Sequence, residues 1–572
     1  MKDKQDFFSL LGQLDGLDAA EYSRVLGDFD FGRYILRVNR VAMAEDPQGS
    51  LFLIRVPQQI AGFPHHLLSS PVRRTALEDY LIRQVSSALE QHARFDEDGL
   101  ARRRISIAAP GQKILPRTAL LITDDQVEAR LTINLPVREG RILARAAQDI
   151  FLHDLPRLVT DAMLYCNLDA VAVEDFVNQM EDADQVRQAL PTRGLVAFVR
   201  DGSLLARTGG TDQPDLLHAS PLAVSGSIRV ELDTPNAGAV VGLGIPAGIT
   251  VVVGDDASGR VELMHALAAG IYNHVPGDGR ELAITLPDAV YVAAEPGRSV
   301  QRVDVSPFLS RGEEGGPYRA YTSAAATPAA SQAAALVEAI EVGARALLLD
   351  ESDSAPGFLA LDQRLAALAG AGSVRTVSLA QRARQIADEL GISLVIGGHA
   401  TVGDFISVAD HVLAVRDFEV RDITEEARKA VGARTVAAGE AAEVAKLVER
   451  ARWVVPGSLD ASAGRLDVAV SAPAVSRLQF GRHTIDLSAL QQLADPHQTA
   501  TIGLILNYAK MRYMEEGRPL REILDLVDRD LSTEGLECLS RDLRGDLARP
   551  RRYEIAAALN RLRSLRISAR AE

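Results

Sequence analysis

Two short stretches hold residue types that could do phosphate chemistry. The first is Gly248 to Leu267, G-I-T-V-V-V-G-D-D-A-S-G-R-V-E-L-M-H-A-L. Gly254 and Gly259 stand at G-x-x-x-x-G spacing, with Ser258 and Arg260 flanking the second glycine. Glycines so placed let a turn bring its backbone N–H groups against phosphate oxygens, and a cation after the second supplies charge. The second stretch is Leu347-Leu348-Leu349-Asp350-Glu351. An Asp at the end of a buried strand can hold Mg²⁺ through water, and the Glu after it can polarise an attacking water. Gly254, Ser258, Gly259 and Arg260 are therefore the candidate nucleotide-binding residues. Asp350 is the candidate metal ligand and Glu351 the candidate catalytic carboxylate.

The first stretch also departs from that chemistry. A phosphate-binding turn of this kind continues with Lys and then Ser or Thr, whereas this chain has Arg260 and Val261. A guanidinium is planar and bulkier than an ammonium, although it binds phosphate well. Val261 has no oxygen to offer a metal. Asp255 and Asp256 place two carboxylates where backbone amides should face phosphate, and like charges repel. No lysine occurs between Lys113 and Lys429, so none nearby can substitute.

The elements that must position these residues are legible as patterns. Ile249 to Val253 is a β-branched run that stops at a glycine, and Val261 to Tyr272 carries helical apolar spacing. Helical patterns at Ser331–Val342 and Leu379–Leu390 alternate with strand patterns at Ala346–Leu349, Ser393–Ile396 and His411–Val415. Such alternation predicts an α/β core with a largely parallel sheet. Before it, residues 1–160 mix helix (Gln5–Leu26, Pro71–His92) with strand (Tyr34–Val41, Leu51–Val56, Val127–Leu135), an α+β domain. After it, residues 433–465 resemble a helical connector. The remainder is expected to be mostly helical, at Leu487–Leu493, Gln498–Met514, Leu520–Arg529 and Tyr553–Ser564.

Composition sets outer limits. A chain of 572 residues with 47% hydrophobic and 24% charged content is long enough for several ordinary globular domains. The net charge of −15 argues against wholesale coating of nucleic acid. Two runs go the other way: residues 101–145 and 541–572 each hold nine basic residues against four acids. Each is either a solvated face or a surface for phosphate-bearing partners. The N-terminal M-K-D-K-Q-D-F-F carries acids and no long apolar core, so no signal peptide is expected. The long uncharged run Gly238–Gly254 is broken by Pro246 and several glycines, so it is no membrane span. A cytoplasmic location and no membrane partner are expected. Cys166 and Cys538, far apart, are expected to be free thiols.

Across nearly its whole length the chain resembles the family of predicted ATPases of the ABC class. The resemblance rests on I-R-V-P-Q-Q-I-A-G-F-P (54–64), P-G-Q-K-I-L-P-R-T (110–118) and R-G-L-V-A-F-V-R-D-G-S (193–203). It continues through G-L-G-I-P-A-G-I-T-V-V-V-G (242–254), I-Y-N-H-V-P-G-D-G-R-E (271–281), V-D-V-S-P-F (303–308) and L-L-L-D-E (347–351). It ends with V-A-D-H-V (408–412) and G-D-L-A-R-P-R-R-Y-E-I-A-A-A-L-N-R-L-R (545–563). It implies a family-specific N-terminal domain (1–160), an ABC-type P-loop core (161–435), a connector (436–474) and a small helical C-terminal domain (475–572). It also implies ATP and Mg²⁺ as ligands and a homodimer, in which the P-loop of one protomer faces the signature motif of the other. RNA or single-stranded nucleic acid is a further partner that the resemblance brings into view.

Against the family pattern, the residues before Ser331-Gln332 are A-A-A-T-P-A-A where a Ser/Gly-rich signature turn is expected, and Pro328 has no N–H to give a phosphate. His399 lies where a switch histidine belongs, and His274 matches the family without an assignable role. Three functions stay open: a degenerate ATPase acting as a dimeric scaffold or regulator; a working ATPase with Arg260 in place of Lys; and a nucleic-acid-binding protein using its basic runs.

Overall fold

The structure is a computed structural model. It describes residues 2–42, 49–91, 104–310, 316–360, 375–431, 444–449, 451–514 and 517–568. The chain forms two compact units. One comprises Met1–Glu181 together with Glu534–Arg549, and the other Asp182–Thr533 together with Pro550–Glu572.

The first unit is built on a mainly antiparallel sheet. Its central pair, Ser50–Pro57 and Gln126–Ile133, runs in register from Ser50↔Ile133 to Pro57↔Gln126. Alternating and β-branched residues place Phe52, Ile54 and Val56 inside. Phe7 from the first helix meets Phe29 and Phe151 edge-on at 4.8 and 4.9 Å between ring centroids, the favoured aromatic geometry. Segment 534–549 belongs to this unit through backbone bonds: Thr118 N–H donates to Leu547 at 3.0 Å and Arg549 N–H to Pro116 at 2.9 Å.

The second unit carries a seven-stranded sheet. Its strands are β1 (Ala223–Ser225), β2 (Ile249–Val253), β3 (Ala289–Tyr291), β4 (Ala346–Asp350), β5 (Ser393–Gly398), β6 (His411–Arg416) and β7 (Glu419–Asp422), in the order β1-β7-β6-β2-β5-β4-β3. The five strands from β6 to β3 are parallel, and β7 is antiparallel to β6. The predicted parallel α/β core is therefore present, with an antiparallel extension at one edge. Both faces of β2, β4 and β5 are buried, as their unbroken apolar runs require. A second, antiparallel sheet of Arg229–Thr234, Gly238–Pro246, Leu195–Arg200 and Ala283–Thr285 encloses an apolar core of Phe198, Leu232, Ile284 and Leu190. Helices α1 (Arg260–Ala269), α2 (Pro328–Glu341) and α3 (Ala383–Leu390) belong to the core. Helices α4 (Pro496–Ala509), α5 (Leu520–Thr533) and α6 (Arg552–Arg561) follow it.

The C-terminal region is mostly helical, as expected, through α4, α5 and α6, with an addition the sequence did not suggest. It contains a three-stranded meander, Val470–Ala474, Arg477–Phe480 and His483–Asp486. Leu487–Leu493 is not helical. It runs as turns that let buried Gln492 accept a hydrogen bond from Tyr291 N–H at 2.9 Å and donate to Ala268 O at 3.0 Å. A tertiary demand of edge strand β3 thus outweighs local helical propensity. Residues 433–443 of the expected helical connector lie outside the described residues; the described part up to 465 holds a short helix (Lys446–Glu449), a short strand (Trp453–Val454) and a 3-10 turn (Pro456–Ser458).

Candidate functional site

Parallel pairing brings the two chemistry-bearing stretches to one end of the sheet. Val253 of β2 pairs with Gly398 of β5, and Asp350 of β4 pairs with Gly397. Gly254, Asp350, Glu351 and His399 therefore meet at the carboxyl ends of the strands, where open α/β sheets bind ligands. Gly397 has no side chain because a Cβ there would run into the Asp350 carboxylate and Met264.

The turn after β2 ends at Gly259, whose φ of 94° lies in the left-handed region that glycine tolerates. Ser258 is buried. Its hydroxyl donates to Asp255 O at 2.7 Å and accepts from Arg260 N–H at 3.3 Å. Arg260 opens α1 and points inward, 1% exposed. Its Nε donates to Gly254 O at 2.8 Å, one Nη donates to Asp256 at 2.6 Å, and the other donates to the Asp350 carboxylate. Burial works against its charge, but the hydrogen bonds and charges of Asp350 and Asp256 hold its pKa above the ordinary arginine value. Asp256 is thus not a bare carboxylate repelling phosphate, as the sequence suggests, but one arm of a clamp on Arg260. Asp255 caps its own turn, accepting from Ala257 N–H at 3.1 Å.

Asp350 is 2% exposed and both its oxygens are engaged. One takes Arg260 and the other accepts from Ser352 N–H at 2.9 Å and Ser352 O–H at 2.7 Å. Glu351 turns to the loop after β5 and accepts from the backbone N–H groups of His399 at 2.6 Å and Ala400 at 2.9 Å. Partial burial raises its pKa, and the N–H donors more than offset this, so the carboxyl sits below its usual range. His399 itself is exposed and contributes its backbone to Glu351.

Several participants carry no signal in the sequence. Phe418, at the tip of the β6–β7 hairpin, has a φ of 62°, and its neighbour Asp417 has 48°. Its N–H donates to Ser258 O at 2.9 Å, and its ring fills the space beside Gly259, where a Cβ would approach Phe418 Cδ1 to 2.7 Å. The second acid after β4, Asp353, accepts from Tyr291 O–H at 2.6 Å and Gln491 at 2.7 Å. Burial, then Asp353 and Asp350, raise the Tyr291 pKa, so the phenol stays protonated. On the signature side, Thr327 caps α2 and Pro328 is its first residue. Ser331 and Gln332 are fully buried. Gln332 donates to Ser354 Oγ at 2.9 Å and accepts from Ala355 N–H at 2.8 Å, and so holds the loop after β4.

His274 acquires a setting too. It is buried 2.7 Å from Asp278, which also pairs with Arg207. Burial opposes the Asp278 charge, but His274, Arg207 and Arg280 hold its pKa below the usual carboxylate range. The arrangement is an internal ion cluster that fixes the 271–281 loop.

Residues 169–451 match the ABC_ATPase P-loop domain, residues 4–166 the N-terminal domain of ATPases of the ABC class, and residues 469–568 the MRB1590 C-terminal domain. The chain belongs to the family of ATPases of the ABC class, with the P-loop fold of that family at its centre. The uncharacterized protein MJ1628 of Methanocaldococcus jannaschii is 28% identical over 185 residues, which are 30% of this chain and 41% of that protein. This chain thus spans less than half the length of that relative. Among solved structures, CbiO1 from Clostridium perfringens, described as part of the ABC transporter complex CbiONQ, aligns with a TM-score of 0.24. The alignment shows 13% identity and covers 40% of this chain and 87% of that one. Among the described residues no helix is long and apolar enough to cross a membrane.

The family generally binds ATP with Mg²⁺. As arranged, the residues here do not fit that pair. Both Asp350 oxygens already serve Arg260 and Ser352, Val261 has no side-chain oxygen, and the Arg260 guanidinium is committed to Gly254 O, Asp256 and Asp350. The described residues include no other cluster of metal-ligating side chains.

Proposed function

We propose that this ABC-class ATPase-fold protein is a degenerate ATPase, one that works as a cytoplasmic homodimeric scaffold or regulator with weak or absent ATP hydrolysis. The observation that carries this is the buried pairing of Arg260 with Asp350. To receive Mg·ATP, the site would have to separate a guanidinium and a carboxylate that are 1% and 2% exposed. Breaking such a pair costs about 3–5 kcal/mol, which lowers affinity by about two to four orders of magnitude. The engaged Asp353, the pinned Phe418 and the self-buried Ser331-Gln332 support the same conclusion. The dimer rests on kinship with the family, and the cytoplasmic setting on the sequence expectation.

A second function, a working ATPase, draws on one observation: Glu351 remains an ionised carboxylate at the sheet end, as a water-polarising group must. Isothermal titration with Mg·ATP separates the two. The degenerate site predicts no binding tighter than about 10 μM (about −7 kcal/mol). Tight binding that Arg260→Ala abolishes, or ATP turnover that Glu351→Gln abolishes, would overturn it.

Nucleic-acid binding through the basic runs draws less support. Within 101–145, Lys113, Arg117 and Arg130 are buried. In the C-terminal run, Arg551 pairs with Glu554, Arg552 with Asp525 and Arg561 with Glu295. Among the described residues, neither run presents all its charges as one exposed face.

A further inference from the structure

Helix α2, which follows the signature position, and the residues flanking both its ends are bound by residues that come after the core in sequence. Before its start, Arg563 donates to Ala324 O at 3.3 Å. At its first turns, Ser331 Oγ accepts from Glu295 N–H at 2.9 Å, and the Glu295 carboxylate takes Arg561 of α6 at 2.8 Å. In its last turns, buried Glu341 takes Arg452 at 2.5 and 2.8 Å. Just past its end, Tyr553 O–H donates to Gly343 O at 3.1 Å. Between these, Arg298 chelates both oxygens of Glu338 at 2.6 Å.

Glu338 and Glu341 are three residues apart and face the same side of α2. Arg452 lies against Glu341 and 4.0 Å from Glu338, so it reaches both. The cluster of Glu295, Glu338, Glu341, Arg298, Arg452 and Arg561 balances three charges of each sign. It is not saturated, since Arg298 Nε and Nη1 and Glu341 Oε1 are buried without a hydrogen-bond partner among the described residues. Spare donors beside a spare acceptor permit the pairs to be exchanged without abandoning charge balance. A helix that shifts by one turn would carry Glu338 toward the place of Glu341 on Arg452.

We propose that Arg452, the α6 residues Tyr553 and Arg561, and Arg563 just after α6 form a polar strap that sets the position of the signature helix, so that α2 and α6 move as one element and any partner that displaces α6 also moves the signature turn. The strap is independent of whether the P-loop holds nucleotide. Hydrogen–deuterium exchange on the full-length chain tests it. Arg452→Ala should raise exchange in 324–341 by about tenfold or more, equivalent to about 1.4 kcal/mol of local opening free energy, and leave β4 and β5 protected. If Arg452→Ala does not fold, the pair Arg452→Gln with Glu341→Gln removes the contact without leaving either charge alone. Exposed Arg563→Ala should loosen 324–330 by itself. Unchanged exchange over 324–341, or an equal rise in β4 and β5, overturns the strap.

Discussion

At the scale of single residues, Arg260 decides the character of the site. An arginine after the second glycine looks from the sequence like a conservative replacement aimed at phosphate. Its side chain instead finds Asp256, four residues back on the same turn, and Asp350, ninety residues on. The first partner is a local pairing that the sequence displays. The second depends on β2 and β4 flanking β5, which no local pattern reveals. Arg260→Ala should leave Asp350 buried and uncompensated and destabilise the second unit by about 3–5 kcal/mol in urea unfolding. Asp350→Ala added to it should restore part of that loss, because the two changes are coupled. Strict additivity would mean that the pair contributes nothing as a pair. Arg260→Lys should recover little, since one ammonium cannot span Gly254 O, Asp256 and Asp350 at once.

At the scale of elements, the turn after β2 is held from two sides. Arg260 draws it inward, and the β6–β7 hairpin tip presses on it from the other side through Phe418. Two consecutive non-glycine residues with positive φ make that tip a strained turn, a feature that persists only where neighbours enforce it. Gly259→Ala should cost about 1–3 kcal/mol in thermal unfolding, from the disallowed φ and from contact with the Phe418 ring. Phe418→Ala in the same chain should return part of it. A Gly259→Ala protein as stable as the parent would mean that the hairpin does not confine the turn. The strand–turn–helix around Gly254 and Gly259, the acids ending β4 and the parallel alternation were all legible, because β-branched runs and glycine punctuation are local signals. The Phe418 contact, the Gln492 bond to the edge of β3 and the C-terminal meander were not. They depend on distant backbone groups, or on strands too short to show a clear alternation.

At the scale of the whole molecule, stability against pH should bear the mark of one carboxyl group. Glu78 lies in the first unit and accepts from Ile122 N–H at 2.9 Å. Burial pushes its pKa up from 4.5 to about 8, against the opposing pull of Ile122 N–H and of Arg74. The folded chain therefore holds a proton that the unfolded chain has lost between these two values. Stability from this group is full below pH 4.5 and is lost as pH rises toward 8. Glu78→Gln should flatten that decline, so the variant should be the more stable protein at alkaline pH by urea midpoint. Parallel pH profiles for parent and variant would count against a buried, protonated Glu78.

The return of residues 534–549 to the first unit also has a temporal side. That unit receives Leu547 and Arg549 as backbone partners of Thr118 and Pro116, yet the ribosome makes the whole of 182–533 in between. At roughly 5–20 residues per second, several tens of seconds pass before its last piece emerges. During that interval the nascent first unit presents open hydrogen-bonding edges at 116–118. Its completion therefore waits until the chain of the second unit has been made.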